Sequence, residues 1–384
     1  MSSDSDEYGL PLPESCIIVG FGGVCVDLLA TVTCFPVPDS KMRSTQLKVQ
    51  GGGNAGNALT CAARLGLKPR IIAKVANDIQ GRALLEELEV DGVDTSFMVV
   101  SKEGTTPFSY IIIDTQTKTR TCIFNPGEYP PMKPEDLHST NLVSILAGSK
   151  VVYFDGRMLD TAIVIAQEAF QQNIPILVDA EKPRVGLDNL LRLTDYIICS
   201  ENFPQAWTEA STISKALVSI MLRLPKLKFV IVTLGKDGCI MLERCVDDIS
   251  SLEEMDIDST FESLSKREDD TITMPTCIAS SMMRFRTKGE GCMCGRLYIG
   301  TAEKIPPSKL IDTTGAGDAF VGAILYAICA NFSPQIMLTF ASYVPPIVKL
   351  LELEVVFHIV LIPVLNLSHT RASIWVPKNS IYIV

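Results

Sequence analysis

The sequence predicts an α/β protein whose parallel sheet is covered by helices on both faces, with a small β sheet standing apart from it. Three observations carry that reading. Short apolar runs alternate with helix-length segments along much of the 384 residues, the order that builds a parallel sheet. Two glycine-rich stretches, at 51–57 and 315–317, each lead into an apolar, helix-compatible run, which places permissive turns at helix starts. Alternating β-like segments at 28–50 and 106–124 fall outside the strand–helix order and fit a separate antiparallel unit.

The length accommodates two or three domains, or one large α/β domain with an appendage. Lys and Arg number 34 against 44 Asp and Glu, for a net charge of −10. With no basic block in the chain, nucleic acid is not expected as a direct ligand. Residues 1–14 are acidic and Ser-rich, without the charged start and apolar core of a signal peptide, and are expected to be disordered. The 12 Cys follow no disulfide-scaffold spacing, so a cytoplasmic protein with reduced thiols is expected. Cys292 and Cys294 are a close pair, but without a second pair and with 3 His in all they read as structural rather than as a metal site.

In chain order, the run from Ser15 to Gly23 is a buried strand opening into a ligand-facing turn, with Asp27 beyond it. Gly20-x-Gly22 matches part of a dinucleotide-binding fingerprint, and Asp39 lies where a ribose-binding acid would. Cys25 stands in place of the third small residue, and no clean helix follows, so this reading is not favoured. Gly51-Gly-Gly-Asn-Ala-Gly-Asn57 then starts a helix that stops at Gly66. Its glycines permit close backbone approach, and the amides of Asn54 and Asn57 suit sugar hydroxyls; plain helix capping by Asn is the alternative.

A strand at 69–75, a helix at 81–90 and a strand at 96–101 follow. The hairpin of 106–114 and 119–124 carries Arg120, facing either a phosphate or solvent. Strands at 151–154, 176–179, 196–199 and 229–234 alternate with helices at 160–172 and 211–224. Several strands end in residues capable of chemistry, namely Asp155, Asp179, Ser200 and Thr233, and ligands gather at such carboxyl ends. Thr233-Leu-Gly-Lys-Asp-Gly238 is a plain hairpin or a nucleotide-facing loop. Residues 245–291 are loaded with carboxylates and are expected to be a solvated, partly disordered insertion.

The stretch Ile311-Asp-Thr-Thr-Gly-Ala-Gly-Asp318 ends at a helix start. Its free N–H groups and the helix dipole suit a phosphate. Asp318 either caps the helix or takes a proton from a hydroxyl, and the residues alone leave both open. After Ser342, Pro345 and Pro346 are expected to break the helix begun near Pro334. In the tail, 343–384, the apolar run 350–367 is interrupted by Glu352, Glu354, His358 and Pro363, too often for a membrane span.

Together the two glycine motifs resemble the PfkB, or ribokinase-like, carbohydrate kinase family over about residues 15–342. Asp312-Thr-Thr-Gly-Ala-Gly-Asp-Ala-Phe320 is similar to its second signature and the 51–57 loop to its sugar-binding one. Thr119-Arg-Thr, Asp155-Gly-Arg157 and the run from Asp179 to Arg184 are similar to ketohexokinase stretches, which tilts the substrate toward a ketose. The resemblance implies a three-layer α/β/α core with a mostly parallel sheet and a β lid made by 28–50 and 106–124. It implies ATP and Mg²⁺, with phosphorylation of a hydroxyl on a sugar or sugar-like substrate. Asp27, Gly53, Asn54 and Asn57 would hold the sugar, Asp318 would be the general base, and the amides of Gly315, Ala316 and Gly317 the anion hole. Arg120 would neutralise phosphate, and Thr233, Gly235 and Gly238 would line the ATP site. Asp312 and Thr314 would hold K⁺, and a homodimer through the lid is compatible with the family. The family's Asn-x-x-Glu motif, whose Glu helps organise Mg²⁺, stands here as Asn202-Phe-Pro-Gln205, and relatives close the adenine pocket with helices where this chain turns into its Pro-broken tail. The alternative is a catalytically weak kinase-fold protein that binds ligands or partners.

Overall fold

The structure, a computed structural model, describes residues 16–117, 119–137, 142–245, 253–269, 271–287, 291–306 and 314–350. The expectations for 1–14, for Asp312 and for the tail beyond 350 lie outside these residues. The chain opens with β1 (Ile17–Phe21), β2 (Cys25–Val32) and β3 (Gln46–Gly52), then α1 (Asn54–Arg64) and β4 (Lys68–Ile72). After β5 (Lys74–Ala76), α2 (Ile79–Val90) and β6 (Val99–Ser101) comes the hairpin β7 (Phe108–Asp114) and β8 (Thr119–Asn125). Next are α3 (Leu142–Leu146), β9 (Ser149–Phe154), α4 (Leu159–Gln171), β10 (Ile176–Ala180), α5 (Leu187–Leu191) and β11 (Tyr196–Ser200). They lead to α6 (Phe203–Thr208), α7 (Ile213–Arg223), β12 (Phe229–Thr233) and β13 (Cys239–Arg244). The chain continues through β14 (Glu254–Met255), α8 (Ile257–Ser265), β15 (Cys277–Ala279), β16 (Met283–Thr287) and β17 (Gly291–Gly300) to α9 (Ala316–Cys329) and α10 (Pro334–Leu350).

Among the described residues the central sheet runs β14-β16-β17-β13-β12-β11-β10-β9-β1-β4, with β15 also on β17. It is parallel from β4 to β12 and antiparallel through β13, β17 and β16. The period-2 alternation of strand side chains explains the three layers. In β9, Val151 and Tyr153 join the cluster built with α1 and α9, while Val152 and Phe154 join the one built with α4 and α7. In β12, Phe229 and Ile231 divide from Val230 and Val232 in the same way. Each of these buried side chains contributes about 1.5–3 kcal/mol of hydrophobic stabilisation, which is why continuous apolar runs belong here. The fold is thus the three-layer α/β/α arrangement with a mostly parallel sheet.

A second sheet, β3-β2-β7-β8, is built from the 28–50 and 106–124 segments. Its core is slight: Leu29, Ile111 and Ile113 form a small cluster, and every residue of β8 is exposed.

Three local expectations are corrected. The strand expected over 69–75 divides into β4 and β5 at Ala73. Described residues of the acidic 245–291 stretch are folded: β14 and β16 extend the main sheet. In α8, Asp256 caps the helix by accepting from Ser259 N at 2.9 Å, and Ile257 and Leu264 sit in the core. Carboxylates there cap or pair, as Asp258 does with Lys215 at 2.6 Å, so a high acid count coexists with an apolar i, i+7 stripe. Finally, α10 runs through Pro345 and Pro346. Two prolines remove only their own N–H donors, those that would reach the carbonyls of Ala341 and Ser342, and the helix is anchored upstream by buried Met337, Leu338, Phe340, Ala341 and Val344.

Candidate active site

The site forms where the strand order reverses. β1 lies between β4, which follows it in the chain, and β9, which comes much later; this is a switch point of the kind where α/β sheets bind ligands. The turn after β1 meets the end of β9: Asp155 Oδ2 accepts from Gly23 N at 2.6 Å, and its Oδ1 from Arg157 N at 3.1 Å. A Cβ on Gly22 would fall 2.3 Å from the Asp155 carboxyl carbon, so that position must be glycine for Asp155 to stand there.

The two glycine-rich helix starts differ. At α1 the N-cap is Gly53, with φ of 89° and no side-chain cap. Its first amides are already used: Ala55 N donates to Gly23 O at 3.2 Å. At α9 the N-cap is Gly315, with φ of 72°, and the first intrahelical bond is Ala319 N to Gly315 O at 2.9 Å. The amides before Ala319 therefore have no intrahelical acceptor, and a Cβ on Gly317 would meet nothing within 4 Å. Of the two, the α9 start is the open anion cradle.

Neither Asn57 nor Asp318 spends its side chain on capping. Asn57 Nδ2 donates to Asp318 Oδ2 at 2.7 Å, joining residues 261 positions apart. The helices that carry them cross closely, since a Cβ on Gly322 would lie 2.6 Å from Ala58 O and 2.7 Å from Cys61 Cβ. Burial pushes the Asp318 carboxyl up to about 6; the Asn57 hydrogen bond and the Arg120 charge oppose this, and the Asp155 and Asp27 charges add to it. That places it near the working range of a general base.

Asp27 enters from β2. It is buried at 5 % exposure, and a Cβ on Gly52 would fall 2.3 Å from its Oδ2. Cys25 Sγ donates to Asp27 Oδ1 at 3.4 Å. Burial raises its pKa, while hydrogen bonds from Cys25 and Ser109 and the Arg120 charge lower it. Register places Arg120 opposite Ile113, on the same face as Ser109 and Asp27. A cleft of about 640 Å³ passes Gly52, Gly56, Asn57 and Gly315 beneath this face. Asn54 is the first residue of α1, directly after the Gly53 N-cap. The fourth acid is Asp179, at the end of β10: burial first, then the charges of Asp318, Asp155 and Glu181, hold its carboxyl well above the usual range.

Asn57 and Gly315 line this cleft, Asp318 joins them through the Asn57 bond, and the charges of Arg120 and Asp27 act on Asp318. Thr233, Gly235 and Gly238 form a turn after β12, with Thr233 Oγ1 donating to Cys199 O at 3.2 Å. Gly238 is pinned, since a Cβ there would sit 2.0 Å from Gly300 O, while Gly235 faces open space. From sequence, Asp155 stands out as a strand-end acid and Gly22 as part of a Gly-x-Gly pair, but neither is given a place in the site; only the parallel pairing of β1 with β9 joins them. Gln205 turns away: its amide donates to Ser211 O at 3.1 Å and Ala210 O at 3.5 Å.

A buried carboxylate stands beside an open helix N-terminus on a three-layer α/β/α sheet, an arrangement compatible with phosphoryl transfer. The sequence matches the pfkB family carbohydrate kinases over residues 18–254 and 290–348, and the chain belongs to that family. The unmatched interval falls within the acidic stretch, and the match continues past Ser342. The chain is 23 % identical to a mouse ribokinase over 340 residues, covering 86 % of this chain and 88 % of that one. It is 24 % identical to a mouse ketohexokinase over 193 residues, covering 48 % and 63 %. Among solved structures it resembles an Arabidopsis thaliana ribokinase complexed with ribose and ATP, with TM-score 0.60, 18 % identity and coverage of 88 % and 94 %. It also resembles a Giardia lamblia ribokinase, with TM-score 0.61, 18 % identity and coverage of 87 % and 94 %. Among the described residues no helix is long and apolar enough to cross a membrane.

Proposed function

We propose that this chain transfers the γ-phosphoryl group of ATP to a hydroxyl of a small sugar or sugar-like substrate, with Asp318 as general base. The single observation that carries the assignment is the 2.7 Å hydrogen bond from Asn57 to Asp318. It holds a carboxylate of pKa about 6 at the mouth of the α9 amides. Asp27 and the amides of Asn54 and Asn57 would orient the sugar hydroxyls, with Gly53 letting the backbone approach. Asp318 Oδ would take the proton of the attacking hydroxyl. The amides of Gly315, Ala316 and Gly317 would receive the negative charge of the transferring group, and Arg120 would offset it from the small sheet. Gly235 gives the nucleotide open space, with Thr233 and Gly238 shaping the turn.

The acids fit a magnesium ion. Mg²⁺ needs one or two carboxylates besides phosphate oxygens, and Asp179, crowded by three negative neighbours, is a carboxylate that a cation would relieve. Held there, the ion would supply charge neutralisation to phosphate oxygens. A K⁺ site at Asp312 and Thr314 belongs to the same proposal.

The small sheet also offers a dimer surface. Val49, Leu28, Tyr110 and Ile123 form one row across its four strands by register, with Val49, Tyr110 and Ile123 at 59 %, 51 % and 54 % exposure. Such a row fits a second copy of the chain better than water.

The test is ADP release over a panel of ketoses, pentoses and nucleosides. Substrate-dependent turnover that disappears in Asp318→Ala is expected; turnover unchanged in that variant sinks the assignment. The turn of Gln205 toward Ser211 favours a second reading, a catalytically weak binding module. Calorimetry showing Mg·ATP binding together with substrate-dependent ADP release removes it.

A further inference from the structure

A second pocket lies apart from the cleft, on the face made by α5, α6 and the end of α7. It encloses about 660 Å³, and its lining includes Arg184, Arg192, Arg223, Trp207 and Asp188. No residue lining it lines the cleft beneath the small sheet. In a chain of net charge −10, three guanidinium groups around one opening are a local reversal of sign, and they focus a positive potential there.

The walls are built rather than incidental. Arg223 donates to Thr208 O at 3.0 Å and Trp207 O at 3.2 Å, and its guanidinium lies 5.4 Å from the Trp207 ring centroid. Phe203 lies nearly parallel to the indole, at 6.2 Å between centroids and 13° between planes. Trp207 Nε1 donates to Asp188 Oδ1 at 2.7 Å, which fixes the ring and engages the acid of the lining. These contacts and the Asp188 hydrogen bond hold the indole as a rigid wall of the pocket. Arg192 is exposed, and among the described residues its guanidinium has no partner.

Arg184 is held differently. Its Nη2 donates to Glu181 Oε2 at 3.0 Å, and that same oxygen accepts from Arg157 Nη2 at 2.9 Å. Arg157 in turn stands 3.9 Å from Asp155 Oδ2, the oxygen that accepts from the Gly23 amide in the cleft. One carboxylate oxygen shared by two guanidiniums leaves Arg184 with donors to spare, because guanidinium presents five in a planar fork.

We propose that this pocket binds a small phosphorylated metabolite carrying at least two anionic oxygens, held by Arg184, Arg192 and Arg223 against the Trp207 wall. Bidentate guanidinium contacts to phosphate are the strong form of this recognition. Glu181 competes with the ligand for Arg184, so the pocket is tied to Asp155 through Glu181 and Arg157, neither of which lines it. That link bears on catalysis only through the kinase reading above; binding itself does not rest on it.

The test uses the full chain carrying Trp375→Phe, which leaves Trp207 as the sole indole of the 2 in the sequence. Magnesium-free inorganic pyrophosphate is titrated at constant ionic strength and Trp207 fluorescence is followed. A saturable change is expected, about tenfold weaker in Arg192→Glu and several-fold tighter in Glu181→Gln. The same titration in Asp318→Asn should be unchanged, which separates this pocket from the cleft. A response absent in the parent, equal in Arg192→Glu, or lost in Asp318→Asn overturns the proposal, as does a response matched by chloride. Arg192 is exposed and away from any core, so circular dichroism should show Arg192→Glu folded like the parent.

Discussion

The two sheets of this protein are held by different means. The central sheet is buried on both faces, so each strand spends nearly every side chain on packing and leaves chemistry to its carboxyl ends. The four-stranded sheet has the small cluster of Leu29, Ile111 and Ile113, and the rest of that face is mostly polar, with Asp27, Lys48, Gln50, Ser109 and Arg120 among its residues. Residues that pack and residues that bind are thus separated by position along the strand in one sheet and by position across the face in the other.

The largest effect should come where the two sheets meet. Asp318→Asn, isosteric and unable to take a proton, should lower kcat by about 10²–10⁴ in a coupled ADP assay. The same change should stabilise the protein. A carboxyl raised from 3.8 to about 6 binds its proton more tightly when folded, so stability falls as pH rises through that window. At pH 7 the variant should be more stable by about 1–3 kcal/mol, read by urea denaturation; an inactive and destabilised variant would break the account.

Next comes the contrast itself. Leu177→Ala in β10 should cost about 2–5 kcal/mol, since Leu177 is fully buried, whereas Ile123→Ala in β8 should stay within about 0.5 kcal/mol. Comparable losses for both would erase the distinction between the sheets. Ile123→Lys should instead shift a dimer to monomer in analytical ultracentrifugation.

A smaller effect is expected at Gly52→Ala, whose Cβ would displace the Asp27 carboxylate. On the proposed roles, in which Asp27 orients substrate and Asp318 takes the proton, KM for the sugar should rise about tenfold with kcat less affected. The smallest is a shift of the pH–rate profile. Activity should rise with pH through about 6, as the base loses its proton. In Asn57→Ala the midpoint should move upward, since the lost hydrogen bond favoured the carboxylate; a downward move would contradict the assigned role.

The legible parts of the fold were those whose pattern is local. Buried strands such as Phe229–Thr233 announce themselves as apolar runs, and Gly315 announces a turn because a left-handed residue at a helix start calls for glycine. The acidic stretch was misread because its charge count outweighed the spacing of Ile257, Phe261 and Leu264, which is helical. Pro345 and Pro346 were read as a break, though helix breaking depends on what anchors the preceding turns. In the site, Asp27, Asn57 and Asp318 could be picked by residue type and motif, while the place of Asp155 depends on β1 lying against β9, a pairing that no local pattern encodes.

The bond between Asn57 and Asp318 also sets an order of events during synthesis. A ribosome adding about 5–20 residues per second delivers Asp318 on the order of tens of seconds after Asn57, and β1 likewise waits for β9 before it gains its second neighbour. Throughout that interval the nascent amino-terminal half shows Val49, Tyr110 and Ile123 to the cell without the later strands that complete the sheet beside it. The cleft is therefore among the last parts of the molecule to exist, and a chain halted before α9 would be born with Asn57 and without the carboxylate it holds.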